Sequence, residues 1–314
     1  MYAPERHSHS PVRVDWIRVD LSWALSLAGR LAEAVAVADE GLAIAAGDVE
    51  LGRDLFGYGA SSMLTLLPTW VLAWLGRLHE AEKRLIVALR LAREHEPPET
   101  VSWSHTFHVF VAEASGDARR ALAAAQAALE VGESSGSPHA LAVAFAALGN
   151  ARMLVGEWED AIEACDRSLT MMREKGVALE AEAFALATLA RAHLGGGDVV
   201  RAQALGNEAA SLSRNQGTPV YLCIANLVRA RALVARDGAR AAGEVEEILA
   251  EAAQLVAETG AMIYLPEVHL VRAQLARLAG DEVVCHRELR EAHRLFTAMG
   301  ATARAAHVTR ELGP

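Results

Sequence analysis

Apolar positions recur along this chain at helical spacing and are interrupted by glycine at regular intervals. Between His139 and Lys175, Leu141, Phe145, Leu148 and Met153 form one stripe, Gly156 breaks it, and Trp158, Ala161, Ile162, Cys165 and Leu169 resume it before Gly176. Three- to five-residue steps of this kind predict two amphipathic helices joined by a glycine turn. The unit repeats. Small residues at Gly41, Ala88, Ala128, Ser168, Ala209, Ala252 and Ala292 stand 47, 40, 40, 41, 43 and 40 residues apart. A second series, Gly136, Gly176, Gly217, Gly260 and Gly300, follows eight residues after the regular members of the first. A fixed period near 40 residues predicts stacked helical hairpins, each burying its apolar face against its neighbours. The pattern therefore predicts an all-α solenoid of about seven hairpins, with helices over nearly all of residues 14–312 and no β-sheet.

Departures from the period predict local irregularities. The second hairpin is seven residues longer than the 40-residue unit and carries Gly52, Gly57, Gly59 and Pro68, which predicts a broken or kinked helix. The sixth should have a longer turn around Asp237 to Gly243. The organisation expected is a disordered segment over residues 1–13, then one solenoid domain over 14–314. Residues 301–312 read as a capping helix with Arg304, Arg310 and Glu311 on its outer face.

Composition narrows the functional classes. A formal net charge of -10 disfavours a phosphate-tracking surface, because nucleic-acid affinity comes largely from clustered Lys and Arg. Lys83 and Lys175 are the only lysines, and the arginines alternate with Asp and Glu as on a solvated helix face. Cys165, Cys223 and Cys285 are odd in number and contain no CxxC pair, which suits a reducing, cytoplasmic setting rather than a disulfide framework. The polar N-terminus lacks the apolar stretch of a signal peptide. Met63 to Leu75 is the most apolar run, but it contains Pro68 and is too short to span a bilayer.

Leu148-Gly149-Asn150, Gly156-Glu157-Trp158, Ala161 and Ser168 together resemble the tetratricopeptide repeat. Its close-contact small residue recurs as Ala34, Ala81, Ala121, Ala161, Ala202 and Cys285, each five residues after Gly29, Gly76, Gly116, Gly156, Gly197 and Gly280. The resemblance implies a right-handed α-solenoid, with helices roughly half a turn to one turn longer than in the usual repeat of about 34 residues. Glu288 to Phe296 with Met299-Gly300-Ala301 is similar to the last hairpin of large bacterial signalling proteins, and Gly57-Tyr58-Gly59 and Trp74 to Leu78 are also similar to that tail. In those proteins a class III adenylate/guanylate cyclase domain and an AAA ATPase domain precede a tetratricopeptide-like tail, and related tails occur in LuxR-type regulators. The resemblance covers most of residues 50–312. No GxxxxGK[ST] phosphate loop is present in this sequence, so neither ATPase nor cyclase chemistry is assigned to it.

Three constellations hint at chemistry, and each has a plainer explanation. Gly132-Glu133-Ser134-Ser135-Gly136 matches a nucleophile elbow as a string, but the elbow needs a preceding strand, and here a helix and a periodic turn glycine are expected. His105 and His108 share a helix face without a third ligand. In the cluster of Cys285, His286 and His293, the cysteine holds a packing position and His293 is expected on the outer face. No catalytic residue, metal site or cofactor is assigned.

Aromatic distribution is more informative. Trp16, Trp23, Trp70, Trp74 and Trp103, with Phe56, Tyr58, Phe107 and Phe110, lie in or just beyond the first third of the chain. In tetratricopeptide register, the first-helix positions facing the concave groove include Trp70, Trp74, Trp103, Phe110, Asn150, Phe184, Arg191, Arg236 and Arg277. This predicts an aromatic N-terminal end and an Arg-containing C-terminal end, both suited to anchoring a ligand. The expected function is non-catalytic: a protein-interaction or regulatory scaffold whose groove takes a protein, a peptide or another domain of a parent cyclase/ATPase, with no nucleic acid or membrane as partner. The alternative is a receptor for a small molecule or signal peptide, which a compact aromatic pocket in the first three hairpins would favour. A hydrolase is the remote third reading.

Overall fold

Asp at a helix start and glycine at the preceding helix end set the hairpin geometry. At the third hairpin, Gly116 adopts the left-handed conformation (φ +84°). The Asp117 amide then bonds Ala112 O at 2.9 Å, and the Asp117 carboxylate accepts from Arg120 N at 3.0 Å. Asp117 thus satisfies an orphan carbonyl with its amide and an orphan amide with its carboxylate. Gly-Asp pairs repeat this at Asp198 and Asp281.

The computed structural model describes residues 11–313. The side chains of Trp16 and Phe56 lie outside the described residues, as does the expected disorder over residues 1–10. Residues 11–13, also expected to be disordered, instead begin the first helix. Hairpin 1 comprises α1 (Pro11–Leu27) and α2 (Leu31–Ala45). The insertion before hairpin 2 forms α3 (Arg53–Phe56). The first helix of hairpin 2 is divided into α4 (Ala60–Leu66) and α5 (Pro68–Trp74), before α6 (Leu78–His95). Pro68 lacks the amide needed to continue the hydrogen-bond ladder, which explains the division. Hairpins 3 and 4 are α7 (Pro98–Ser115) with α8 (Ala118–Ser135), and α9 (Pro138–Val155) with α10 (Trp158–Lys175). Hairpin 5 enters through a 3-10 turn, Leu179–Ala181, into α11 (Glu182–Gly195) and returns along α12 (Val199–Gln216). In hairpin 6, α13 (Pro219–Asp237) and α14 (Ala242–Thr259) flank the 3-10 turn Gly238–Ala241. Hairpin 7 is α15 (Leu265–Leu278) with α16 (Glu282–Met299), and α17 (Thr302–Leu312) caps the array. No strand occurs among the described residues. The fold is an all-α, tetratricopeptide-like solenoid.

Periodic small residues sit where helices touch. Ala34, Ala81, Ala121, Ala161, Ala202 and Cys285 are fully buried. A Cβ on Gly149 would lie 2.3 Å from Cys165 Sγ, so α9 and α10 approach closely only with glycine there. Several contacts are pinned by a hydroxyl: Ser102 donates to Ala128 O at 2.8 Å and Ser168 to Ala142 O at 2.7 Å. α9 is long and apolar enough to cross a membrane by length and composition; here it packs between α7, α8, α10 and α11.

The periodic pattern gave no sign that the superhelix closes on itself. The turn at Gly29 in hairpin 1 meets Pro219 and Thr259 of hairpin 6. Gly76 in hairpin 2 meets Met299 of hairpin 7 and Met262 in the 3-10 turn just before it, and Gly116 in hairpin 3 meets Arg304 and Ala303 of the cap. Each contact spans five units, so the first hairpins lie against the last. The expected open groove is therefore an interior.

Candidate functional site

A run of aromatic rings fills much of that interior. The Trp70 ring centroid lies 4.2 Å from Trp74, 5.7 Å from Trp23 and 5.8 Å from Phe107. Phe110 continues the run to Phe184 at 5.2 Å, and Phe184 to Tyr221 at 5.8 Å. Five hairpins contribute rings. Trp70, Trp74 and Phe184 are only 2%, 4% and 4% exposed, so these expected groove anchors belong to the core. Closure of the superhelix buries them.

Two compartments remain beside this core. The larger is a cavity of about 520 Å³ whose walls include Trp23, Tyr58, Trp70, Trp103, Phe107, Phe110, Phe184 and Tyr221. Trp103 is half-buried, and its ring meets Tyr58 and His139 nearly edge-on, at 87° and 78°. Polar groups also line it: Asp20 from α1, Glu99 from α7, and Glu180, whose carboxylate lies 3.5 Å from His139 Nε2. That hydrogen bond holds the Glu180 carboxyl below its usual range despite partial burial. Burial, followed by the charges of Asp20, Glu99 and Glu96, pushes the Tyr58 phenol up.

The smaller compartment, about 50 Å³, is a charged cleft between α7, α11, α13, α15 and α17. Glu113 accepts from Arg191 Nη1 at 3.0 Å and from Asn150 Nδ2 at 2.8 Å. Glu267 accepts from both Arg231 and Arg304. Burial, with the nearby Arg191 charge, pulls Arg231 down to about 10, and burial likewise pulls Arg304 down to about 10. Both remain charged at neutral pH. Arg304 thus departs from its expected outward position: its guanidinium also stacks on Phe296 at 4.4 Å. The preceding hairpin places Glu267 within its reach, and the paired charge turns inward.

The structure divides the nine sequence-predicted groove residues. Trp70, Trp103, Phe110 and Phe184 line the cavity, while Trp74, Phe110 and Arg191 line the cleft. Asn150 is fully buried and supports the cleft through Glu113. Arg236 pairs with Asp237 and Gln203, Arg277 pairs with Glu311 at 3.4 Å, and neither lines a compartment. Sequence reasoning missed Tyr221, Glu180, Arg231 and Glu267. Tyr221 and Glu267 lie within the first turns of their hairpins' leading segments, where the assumed groove register did not look.

The remaining constellations resolve as packing or turns. Ser134 lies in the last turn of α8 and donates to Val131 O at 2.8 Å, with no strand before it. Burial pulls His108 down to about 4 and also lowers His105. Cys165 is pushed up to about 12 by burial, and all three cysteines are buried thiols. Among the described residues no group of three His, Cys, Asp or Glu is placed to hold a metal ion.

No family model matches the chain, and no curated protein matches it. Solved structures share the fold. The apo form of RapI superimposes with a TM-score of 0.61 at 13% identity, over 90% of this chain and 99% of that one. A Rap protein complexed with Competence and Sporulation Factor gives 0.56 at 13% identity, over 95% and 96% of the two chains. Aspartyl phosphate phosphatase F from Bacillus subtilis gives 0.61 at 12% identity, over 93% of this chain and 72% of its own.

Proposed function

We propose that this protein is a non-catalytic, ligand-responsive interaction module of bacterial signalling, with the aromatic cavity as its receptor site. The cavity itself carries this reading. About 520 Å³ of space walled by aromatic rings matches the size and lining of small-ligand sites, whereas a protein partner would favour a shallow open groove. The occupant touches α1, α7, α9 and the entry to hairpin 5, so filling the cavity favours one curvature of the superhelix. A partner on the outer surface would respond to that curvature. The Rap protein complexed with Competence and Sporulation Factor supports the same reading, because a chain of this fold is there in complex with a factor. The tail-like segments support placing the module beside cyclase or ATPase domains in a reducing cytoplasm, which the reading frames flanking its gene would test.

The experiment is thermal unfolding of the purified chain with and without a small-molecule extract of the native host. A bound ligand is expected to raise the midpoint. Val143→Trp, which fills the cavity from α9, is expected to abolish that rise. A rise that survives Val143→Trp would move the site elsewhere. The same preparation is expected to hydrolyse neither ATP nor model esters. Turnover lost in Ser134→Ala would overturn the non-catalytic reading.

A further inference from the structure

The charges around the aromatic cavity have one sign. Among the described residues, Asp20, Glu99 and Glu180 line it, no Lys or Arg does, and the only basic side chain is His139, already held by Glu180. The three carboxylates come from three separate hairpins, α1, α7 and the 3-10 turn before α11, so helix-face patterning does not account for their convergence. The neighbouring cleft is the control within the same molecule: three guanidinium groups line it, each paired with a glutamate.

Resting on the receptor reading above, we infer that the occupant of the cavity is a small organic cation, an ammonium or quaternary ammonium group on an apolar body. Aromatic faces attract such a group through their quadrupoles, most strongly where water is excluded. Trp103 stands nearly perpendicular to both Tyr58 and His139, and this makes the corners of a box that can surround a cationic head. The carboxylates add an attraction that an uncharged ligand forgoes and that an anion meets as repulsion. Two polar atoms of deeply buried lining residues, Trp70 Nε1 and Thr106 Oγ1, have no partner among the described residues. The threonine oxygen can accept from an ammonium, and the indole N–H can donate to an acceptor on the ligand body.

Isothermal titration of the full chain with three phenylethyl probes of different charge tests this: phenethyl-trimethylammonium, its uncharged carbon isostere, and 3-phenylpropionate. The cation should bind at least about tenfold more tightly than either other probe, and added salt should weaken it. Asp20→Asn and Glu99→Gln should each weaken the cation about three- to tenfold and leave the neutral isostere unchanged. Asp20 is exposed, so its variant keeps the test independent of folding, whereas Glu99 also accepts a bond from Ser137. Equal or tighter binding of the neutral or anionic probe overturns the cation assignment while the receptor reading stands. Failure of all three, and of the free-amine dipeptide Phe-Ala-amide, to bind removes the cavity as a receptor site altogether. A fourth arm compares Phe-Ala-amide with its N-acetylated form: a peptide that binds only with a free amine, while the small cation does not bind, replaces the small molecule with a peptide end.

Discussion

The aromatic cavity and the charged cleft share α7, which gives Phe107 to the first, Glu113 to the second and Phe110 to both. Their chemistry differs. In the cleft every acidic and guanidinium group has a partner, and only about 50 Å³ is left over. The cavity spans about 520 Å³, and buried polar atoms of its lining lack partners among the described residues. Satisfied buried charges hold elements in one arrangement, whereas an unfilled, unsatisfied site leaves interaction free energy for a ligand. The cleft thus lies beside the seam where α7 meets the cap, and the closed superhelix shapes the cavity. Both arise because hairpins five units apart come together.

The sharpest way to break this comparison is to remove the acid that two cleft arginines share. Glu267 is 12% exposed and pairs with Arg231 and Arg304, so Glu267→Ala should leave two guanidinium groups facing each other. A loss of about 3 kcal/mol in urea unfolding is expected, with an increased radius of gyration in solution scattering. An unchanged radius would show that the charges do not hold the turns together. Gly116→Ala attacks the same seam sterically: its Cβ would sit 2.7 Å from Arg304 Cγ at a backbone φ of +84°. A cost of about 2 kcal/mol is expected, with disturbed cavity binding as a second readout.

Ala161→Leu tests the local register instead. Ala161 is fully buried between α9 and α10, and overpacking there should cost about 1 to 3 kcal/mol without opening the seam. Cost within error of zero would show that the register is wrong. The smallest expected effect concerns pH. The value of about 4 for His108 lies below the ordinary 6.5, so the unfolded chain takes up the proton first as pH falls. Its contribution is fully present above pH 6.5 and is lost towards pH 4, at about 1 kcal/mol after solvent screening. His108→Gln should flatten the stability profile across that window. A profile that keeps its slope in this variant would assign the dependence to other groups.

Much of the hairpin framework was legible because it is local. The kink at Pro68, the extended turn before α14 and the buried alanines each follow from residues a few positions apart. The candidate site was legible only in part. Trp103, Phe110 and Arg191 stood out as ring or guanidinium positions, but sequence spacing gives a buried and an exposed tryptophan the same signature. Trp70 and Trp74 consequently read as anchors although their rings are core. Arg304 read as outward with Arg310 and Glu311 because charged residues of a capping helix ordinarily face solvent, and its partner Glu267 lies 37 residues away in the preceding hairpin.

The sequence by itself determined the helices, their period, the turns and the close contacts within each hairpin, because steric fit and burial over one or two turns depend on near neighbours. Tertiary structure decided whether the concave face stays open. That outcome depends on small rotations accumulated from one hairpin to the next, and five of them bring Gly116 against Arg304. Only that meeting turns a row of aromatic side chains into a core on one side and an acid-rimmed cavity on the other.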